Sequence, residues 1–201
     1  MLEEIEFEDR PGVICFQEAN MGWEDWRAVC GKCNCLGFKP LSAKVPSKEQ
    51  RSSTVVTLAK NILNSLLIGS YTISEGAALS VSVNNLLVTN VYSRPSYGSQ
   101  LENMAKLQEV VISHSWNGKM LMVDDWNEFF EESSSMMGAS FGLRPSFLDS
   151  DTTRWKGCHV IDYVLHNLEE QCVSSIACRS EVASDHKILE FCFCALFQES
   201  A

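Results

Sequence analysis

Apolar and polar positions along this chain fall mostly into short runs of the length and spacing of β-strands. Residues 13–18, V-I-C-F-Q-E, are an apolar run that ends in a carboxylate, the pattern of a buried strand carrying an acceptor group to the rim of a sheet. Lys119 to Asn127, K-M-L-M-V-D-D-W-N, repeats the pattern and delivers Asp125 and Asn127 to a rim. Between them the chain reads as S-T-V-V-T-L-A, L-L-I-G-S-Y-T-I and A-L-S-V-S-V, the last alternating so that Leu79, Val81 and Val83 share one face. Asn84-Asn85 separates this run from L-L-V-T-N-V-Y, which predicts a hairpin whose turn uses positive φ. Tyr92 closes that strand and Pro95 ends its ladder. H-V-I-D-Y-V-L at 159–165, V-S-S-I-A at 173–177 and I-L-E-F-C-F-C-A-L-F after Ser184-Asp185-His186 predict three more strands.

Helical spacing is rarer. Trp23, Trp26 and Val29 predict a helix followed by a cysteine-rich turn, G-K-C-N-C, and Leu101, Met104, Leu107, Gln108 and Val111 mark one face of a second helix. Pro40 to Ser53 is polar and predicts an exposed loop. Many strands, few helices and polar residues gathered at strand ends are the signature of two packed sheets with helices outside.

At 201 residues the chain is expected to form a single domain spanning 1–201. The formal charge of −10 means that the molecule as a whole repels polyanions, so a nucleic acid or phosphate ligand needs a local feature such as a divalent cation. Nine cysteines are an odd set, several lie in apolar runs, and the acidic start L-E-E-I-E-F-E-D has no signal-peptide pattern. These features predict a protein of a reducing compartment, nucleus or cytoplasm, that is not secreted. No apolar run approaches the roughly twenty residues that span a bilayer. Cys30 and Cys33 have C-x-x-C spacing, but Cys35 alone does not supply the second pair that a structural zinc site uses.

The candidate chemistry lies in the polar residues at predicted strand ends: Glu18, Tyr92, Asp125, Asn127, Asp162, Asp185 and His186. Carboxylates gathered at one place repel each other unless a cation neutralises them, and hard oxygen ligands suit Mg²⁺ or Mn²⁺. A histidine beside such an ion can orient or deprotonate water, with a carboxylate such as Asp162 fixing its tautomer. Each residue also has an ordinary role: a helix-terminal carboxylate for Glu18, a structural ion pair for Asp162, a turn cap for Asp185. Arg94, Arg144 and Arg154 fall in predicted loops near that rim and would supply local positive charge.

In order, V-I-C-F-Q-E, N-V-Y-S-R-P, M-V-D-D-W-N, V-I-D-Y-V-L and S-D-H resemble the motifs of the endonuclease/exonuclease/phosphatase superfamily, which includes DNase I-like nucleases, abasic-site and LINE-type retroelement endonucleases and inositol polyphosphate phosphatases. The resemblance runs through nearly all the chain and implies an α/β fold, a four-layer α/β/β/α sandwich of two packed mixed sheets. It further implies that Glu18 and Asp185 are metal ligands, that Asp125 positions or deprotonates the attacking water, that Asn127 and Tyr92 hold the phosphate, and that His186 pairs with Asp162. T-R-W-K-G-C-H-V-I-D-Y at 153–163 looks most like the retroelement and abasic-site branches. The function so implied is a Mg²⁺- or Mn²⁺-dependent DNA endonuclease, within a larger polyprotein carrying a reverse transcriptase if the retroelement branch holds.

Two departures bear on activity. The family's first strand carries an Asn, and residues 1–12 contain none, so the resemblance implies either a piece that begins after that strand, with a neighbouring sheet edge left unpaired, or a protein that lacks that ligand. The family's G-D-F-N is D-D-W-N here, which sets Asp124 beside Asp125, where a second carboxylate would raise a pKa or repel a phosphate. Two other readings therefore stand beside the nuclease: a phosphatase or phosphodiesterase for a small phosphorylated molecule, which suits the net charge, and a non-catalytic remnant or binding module of the same fold.

Overall fold

The computed structural model describes residues 12–49, 52–73, 76–93, 118–125, 139, 142–146, 162–169, 173–178 and 188–193. Among them the first strand, β1 (Val13–Met21), leads into α1 (Trp23–Cys35), then β2 (Phe38–Ser42), β3 (Ser52–Lys60), β4 (Ser65–Ile73), β5 (Gly76–Val83) and β6 (Leu86–Ser93). After these come β7 (Met120–Asp125), the two-residue β8 (Arg144–Pro145), β9 (Asp162–His166), β10 (Val173–Cys178) and β11 (Ile188–Phe193). Every predicted strand within this set forms. The predicted helix at 101–111 lies outside the described residues.

The strands make three sheets: an antiparallel one in the order β1-β3-β2, a mixed one in the order β4-β5-β6-β7-β9-β8, and the pair β10-β11. β6 and β7 are the parallel neighbours in the mixed sheet. Asn84 and Asn85 close the β5–β6 hairpin with φ of 48° and 65°, as the sequence predicts for a two-residue turn in the I′ sense.

The two larger sheets face each other across one core. Leu79, Val81 and Val83 of β5, Leu86 and Val88 of β6, Leu121 of β7 and Val164 of β9 pack there with Val55 of β3, and Val13 and Cys15 of β1 lie against them. Ala78 and Ser80, on the other face of β5, are buried as well, so β5 is covered on both sides. Truncating a fully buried residue such as Leu79 to Ala would cost about 2–5 kcal/mol.

On the far side of the three-stranded sheet, Trp26 and Cys33 of α1 pack on Phe38, Val56 and Leu58, with Ile14 and Phe16 of β1 beside them. The helix starts where Asp25 Oδ2 accepts a hydrogen bond from the Gly22 amide at 2.9 Å, with Glu24 and Asp25 favourable to the dipole. It stops at Gly37, whose φ of 78° suits only a residue without Cβ strain.

Two expectations change. The cysteine-rich segment is the last turn of α1, because Cys33 falls seven residues after Trp26 and completes the helix's buried stripe. Pro40 to Ser42 belongs to β2, an edge strand paired with β3 alone, where the missing amide of Pro40 costs the ladder little.

Candidate active site

β1 carries its candidate ligand on a bulge. Phe16 pairs with Val56 and Ala19 with Thr54, so Gln17 and Glu18 together stand opposite Val55, the count that defines a β-bulge. Before this point Ile14 and Phe16 face α1; after it Ala19 and Met21 do. The bulge therefore absorbs one residue and resets the alternation, and the absorbed residue is the exposed Glu18. Its φ is 49°. A left-handed backbone at a residue with a Cβ costs about 1–2 kcal/mol, and strain of this kind collects at functional positions.

The six-stranded sheet sets three more candidates in one row. Tyr92 of β6 is in register with Asp125 of β7, and Asp125 with Asp162 of β9. Neighbouring strands lie about 4.7–4.9 Å apart, so the row of backbone positions spans roughly 10 Å. Tyr92 packs in the inter-sheet core with Val88, Leu121, Val123 and Val164, and Asp162 alternates with Val164 on the same face of β9. Tyr92 is buried and Asp162 half-buried.

Asp124 occupies the adjacent register position, paired with Val91 and Tyr163. Successive residues of a strand belong to opposite faces.

A buried polar cluster joins β1 to this row. Asn90, fully buried on β6, accepts a hydrogen bond from Gln17 Nε2 at 2.9 Å through its Oδ1. Its amide nitrogen donates to the carbonyls of Phe16 (3.3 Å) and Val56 (3.0 Å) and to Thr57 Oγ1 (3.2 Å). Thr57 in turn hydrogen-bonds Cys15, and burial pushes that thiol up to about 12, the hydrogen bond opposing the shift. Gln17 precedes Glu18 and Asn90 is two residues before Tyr92, so this bond fixes the bulge beside the end of β6. Sequence reasoning missed Gln17, Thr57 and Asn90. The available signal was an amide inside the apolar run L-L-V-T-N-V-Y, at a position aligned with Val88 and Tyr92.

Arg144 corrects an expectation. It lies on β8 paired with His166 at the opposite end of β9 from Asp162, and its Nη2 donates to the Leu168 carbonyl. Five residues of strand are about 13 Å long, so Arg144 anchors the far end of the sheet. His166, also at that end, is buried and accepts from the Leu168 amide at 3.1 Å through Nδ1. Asn127, Asp185, His186, Arg94 and Arg154 lie outside the described residues.

Among the described residues no three His, Cys, Asp or Glu side chains converge as a cation site. The described candidates, the exposed carboxylate of Glu18 on β1 and the half-buried one of Asp162 on β9, carry hard oxygens of the kind that suits Mg²⁺ or Mn²⁺. Also among the described residues, no helix is long and apolar enough to cross a membrane.

No protein-family model matches the sequence, and no curated protein does. Its fold is nevertheless that of many solved structures. An endonuclease/exonuclease/phosphatase from Bacteroides vulgatus superposes with a TM-score of 0.65 at 8% identity, over 90% of this chain and 83% of that one. The human Nocturnin catalytic domain with bound sulfate anion gives 0.59 at 13% identity, over 92% and 82%. D. rerio TDP2 complexed with single strand DNA product gives 0.60 at 10% identity, over 90% and 85%. At such identities the likeness is one of fold: two packed sheets in the DNase I-like α/β arrangement that the motif order implies.

Proposed function

We propose that this chain, with the endonuclease/exonuclease/phosphatase fold, is a metal-dependent phosphodiesterase that cleaves the DNA backbone, of the abasic-site or retroelement endonuclease type. The observation that supports the reading is the register that aligns Tyr92 with Asp125 and Asp125 with Asp162 on neighbouring strands, together with the exposed Glu18 on the bulge of β1. Similarity to a fold in which TDP2 holds a single-strand DNA product supports nucleic acid as the substrate class.

In this reading Glu18 and Asp185 hold a Mg²⁺ or Mn²⁺ ion, which when bound supplies positive charge to the phosphoryl and leaving oxygens. Asp125 orients the attacking water and takes up its proton as oxygen bonds to phosphorus. Tyr92 and Asn127 donate hydrogen bonds to the phosphate, and Asp162 holds His186 in one tautomer. Water and a phosphodiester thereby become a phosphomonoester and an alcohol. With a net charge of −10, the approach of DNA depends on this edge rather than on the molecule's overall field.

The test is hydrolysis of supercoiled plasmid, an abasic-site duplex and an inositol polyphosphate, each with Mg²⁺ and with a chelator. The expected result is metal-dependent nicking of DNA that drops at least a hundredfold in Asp125→Ala and His186→Ala. Preference for the inositol phosphate would move the function to the small-molecule reading. Activity unchanged in both variants, or none on any substrate, would leave a binding module.

A further inference from the structure

Glu18 is in a conformation that its own backbone disfavours, and what holds it there lies in the opposite sheet. The β1–β3 register breaks between Phe16 and Ala19. At the break, the carbonyls of the last paired residues, Phe16 and Val56, both accept hydrogen bonds from Asn90 Nδ2, at 3.3 and 3.0 Å. The first residue inside the bulge, Gln17, donates to the same side chain's Oδ1 at 2.9 Å. Asn90 thus grips the bulge from both sides, and it is fully buried, where each unmade hydrogen bond is costly. Two residues further along the same strand stands Tyr92, in register with Asp125, which is in turn in register with Asp162.

We infer that Asn90 is a positioning residue: its amide locks the β1 bulge and with it the left-handed backbone from which Glu18 presents its exposed carboxylate as a cation ligand. Without the lock, β1 can shed its bulge and recover regular pairing with β3, which relaxes φ at Glu18 and turns its side chain to another face. The inference rests on Glu18 being a cation ligand, as proposed above. A residue that orients a metal ligand from behind is worth tenfold to a hundredfold in metal affinity.

The experiment is a double-mutant cycle read by Mn²⁺ binding, with free Mn²⁺ followed by electron paramagnetic resonance, together with peptide-level hydrogen exchange over residues 13–21. Four proteins are compared: wild type, Glu18→Gln, Asn90→Ser and the double variant. The expected result is Mn²⁺ affinity at least tenfold weaker in Glu18→Gln and in Asn90→Ser, no further loss in the double variant, and faster exchange at residues 16–19 in Asn90→Ser. Wild-type affinity in a folded Asn90→Ser protein, or losses that add in full, would overturn the inference while leaving Glu18 a ligand. No Mn²⁺ binding in wild type, or none of it lost in Glu18→Gln, would overturn the metal reading and this inference with it. If Asn90→Ser does not fold, Gln17→Met decides the matter. It removes the Gln17–Asn90 hydrogen bond from a half-buried position, and it must weaken Mn²⁺ binding at least threefold for the inference to stand.

Discussion

Asp125 and Asp162 are register partners in the antiparallel β7–β9 ladder. Like charges at directly opposite positions of neighbouring strands are unfavourable by roughly 0.2–1 kcal/mol in the absence of a cation. A fold keeps such a pair for use. Replacing Asp125 by Asn keeps the shape and removes one charge and one base, so DNA nicking is expected to fall 10²- to 10⁴-fold. Unfolding free energy should change by no more than about 1 kcal/mol. Denaturant titration beside a plasmid assay checks both; a large loss of stability with unchanged turnover would make Asp125 a structural residue.

Glu18 gives a sharper separation of stability from function. Its φ of 49° is easy for Gly and strained for any residue with a Cβ. Glu18→Gly and Glu18→Ala both delete the carboxylate, and only the first relieves the backbone. The Gly variant is expected to be about 1 kcal/mol more stable than the Ala variant by urea denaturation. Both should bind Mn²⁺ poorly. Equal stability of the two would mean that the bulge is not strained at Glu18.

How much of this was legible in the sequence depended on the range of the interaction that sets each feature. Strands such as V-I-C-F-Q-E and M-L-M-V-D-D announce themselves by apolar runs, and Asn84-Asn85 announces its turn through φ preferences of the residues themselves. The bulge at Glu18 was invisible because nothing between Phe16 and Met21 marks it locally; it is imposed by pairing with β3 and by Asn90, 72 positions further on. Asn90 itself read as a blemish in an apolar strand, since its partners lie on β1 and β3. Arg144 looked like a rim residue because L-R-P-S has loop composition, and only the β8–β9 pairing shows which end of β9 it serves. The Cys30–Cys35 segment read as a turn for its Gly and Asn, yet burial of Cys33 beneath Trp26 and Phe38 outweighs those weak propensities.

The two turn asparagines are not equivalent, and their substitution should say so. Asn84 is tied to Asn64, whose amide donates to Asn84 Oδ1 at 3.0 Å while the Asn84 amide donates to the Asn64 carbonyl at 2.9 Å. Asn85 is exposed, with φ of 65°. Asn85→Gly is therefore expected to be neutral or stabilising by about 0.5 kcal/mol, and Asn84→Gly destabilising by about 1 kcal/mol through the lost side-chain bond. A reversed order in thermal melts would show that the Asn64 contact contributes nothing.

Cys15 links the network under the site to pH. Burial raises its thiol from the ordinary 9.0 to about 12, against the hydrogen bond with Thr57. The folded state thus holds the proton more tightly than the unfolded state, so between those two values the folded protein carries more protons and stability falls as pH rises. The contribution is whole below about pH 9 and gone above about pH 12. Other groups titrate in the same range, so the informative quantity is the difference between wild type and Cys15→Ala. The wild type should lose stability more steeply than the variant between pH 9 and 11, and its Cys15 should resist iodoacetamide at pH 8.5 until the chain unfolds. Parallel pH profiles, or alkylation of Cys15 in the folded protein as fast as in urea, would mean that packing against the inter-sheet core does not shield the Cys15 thiol from water.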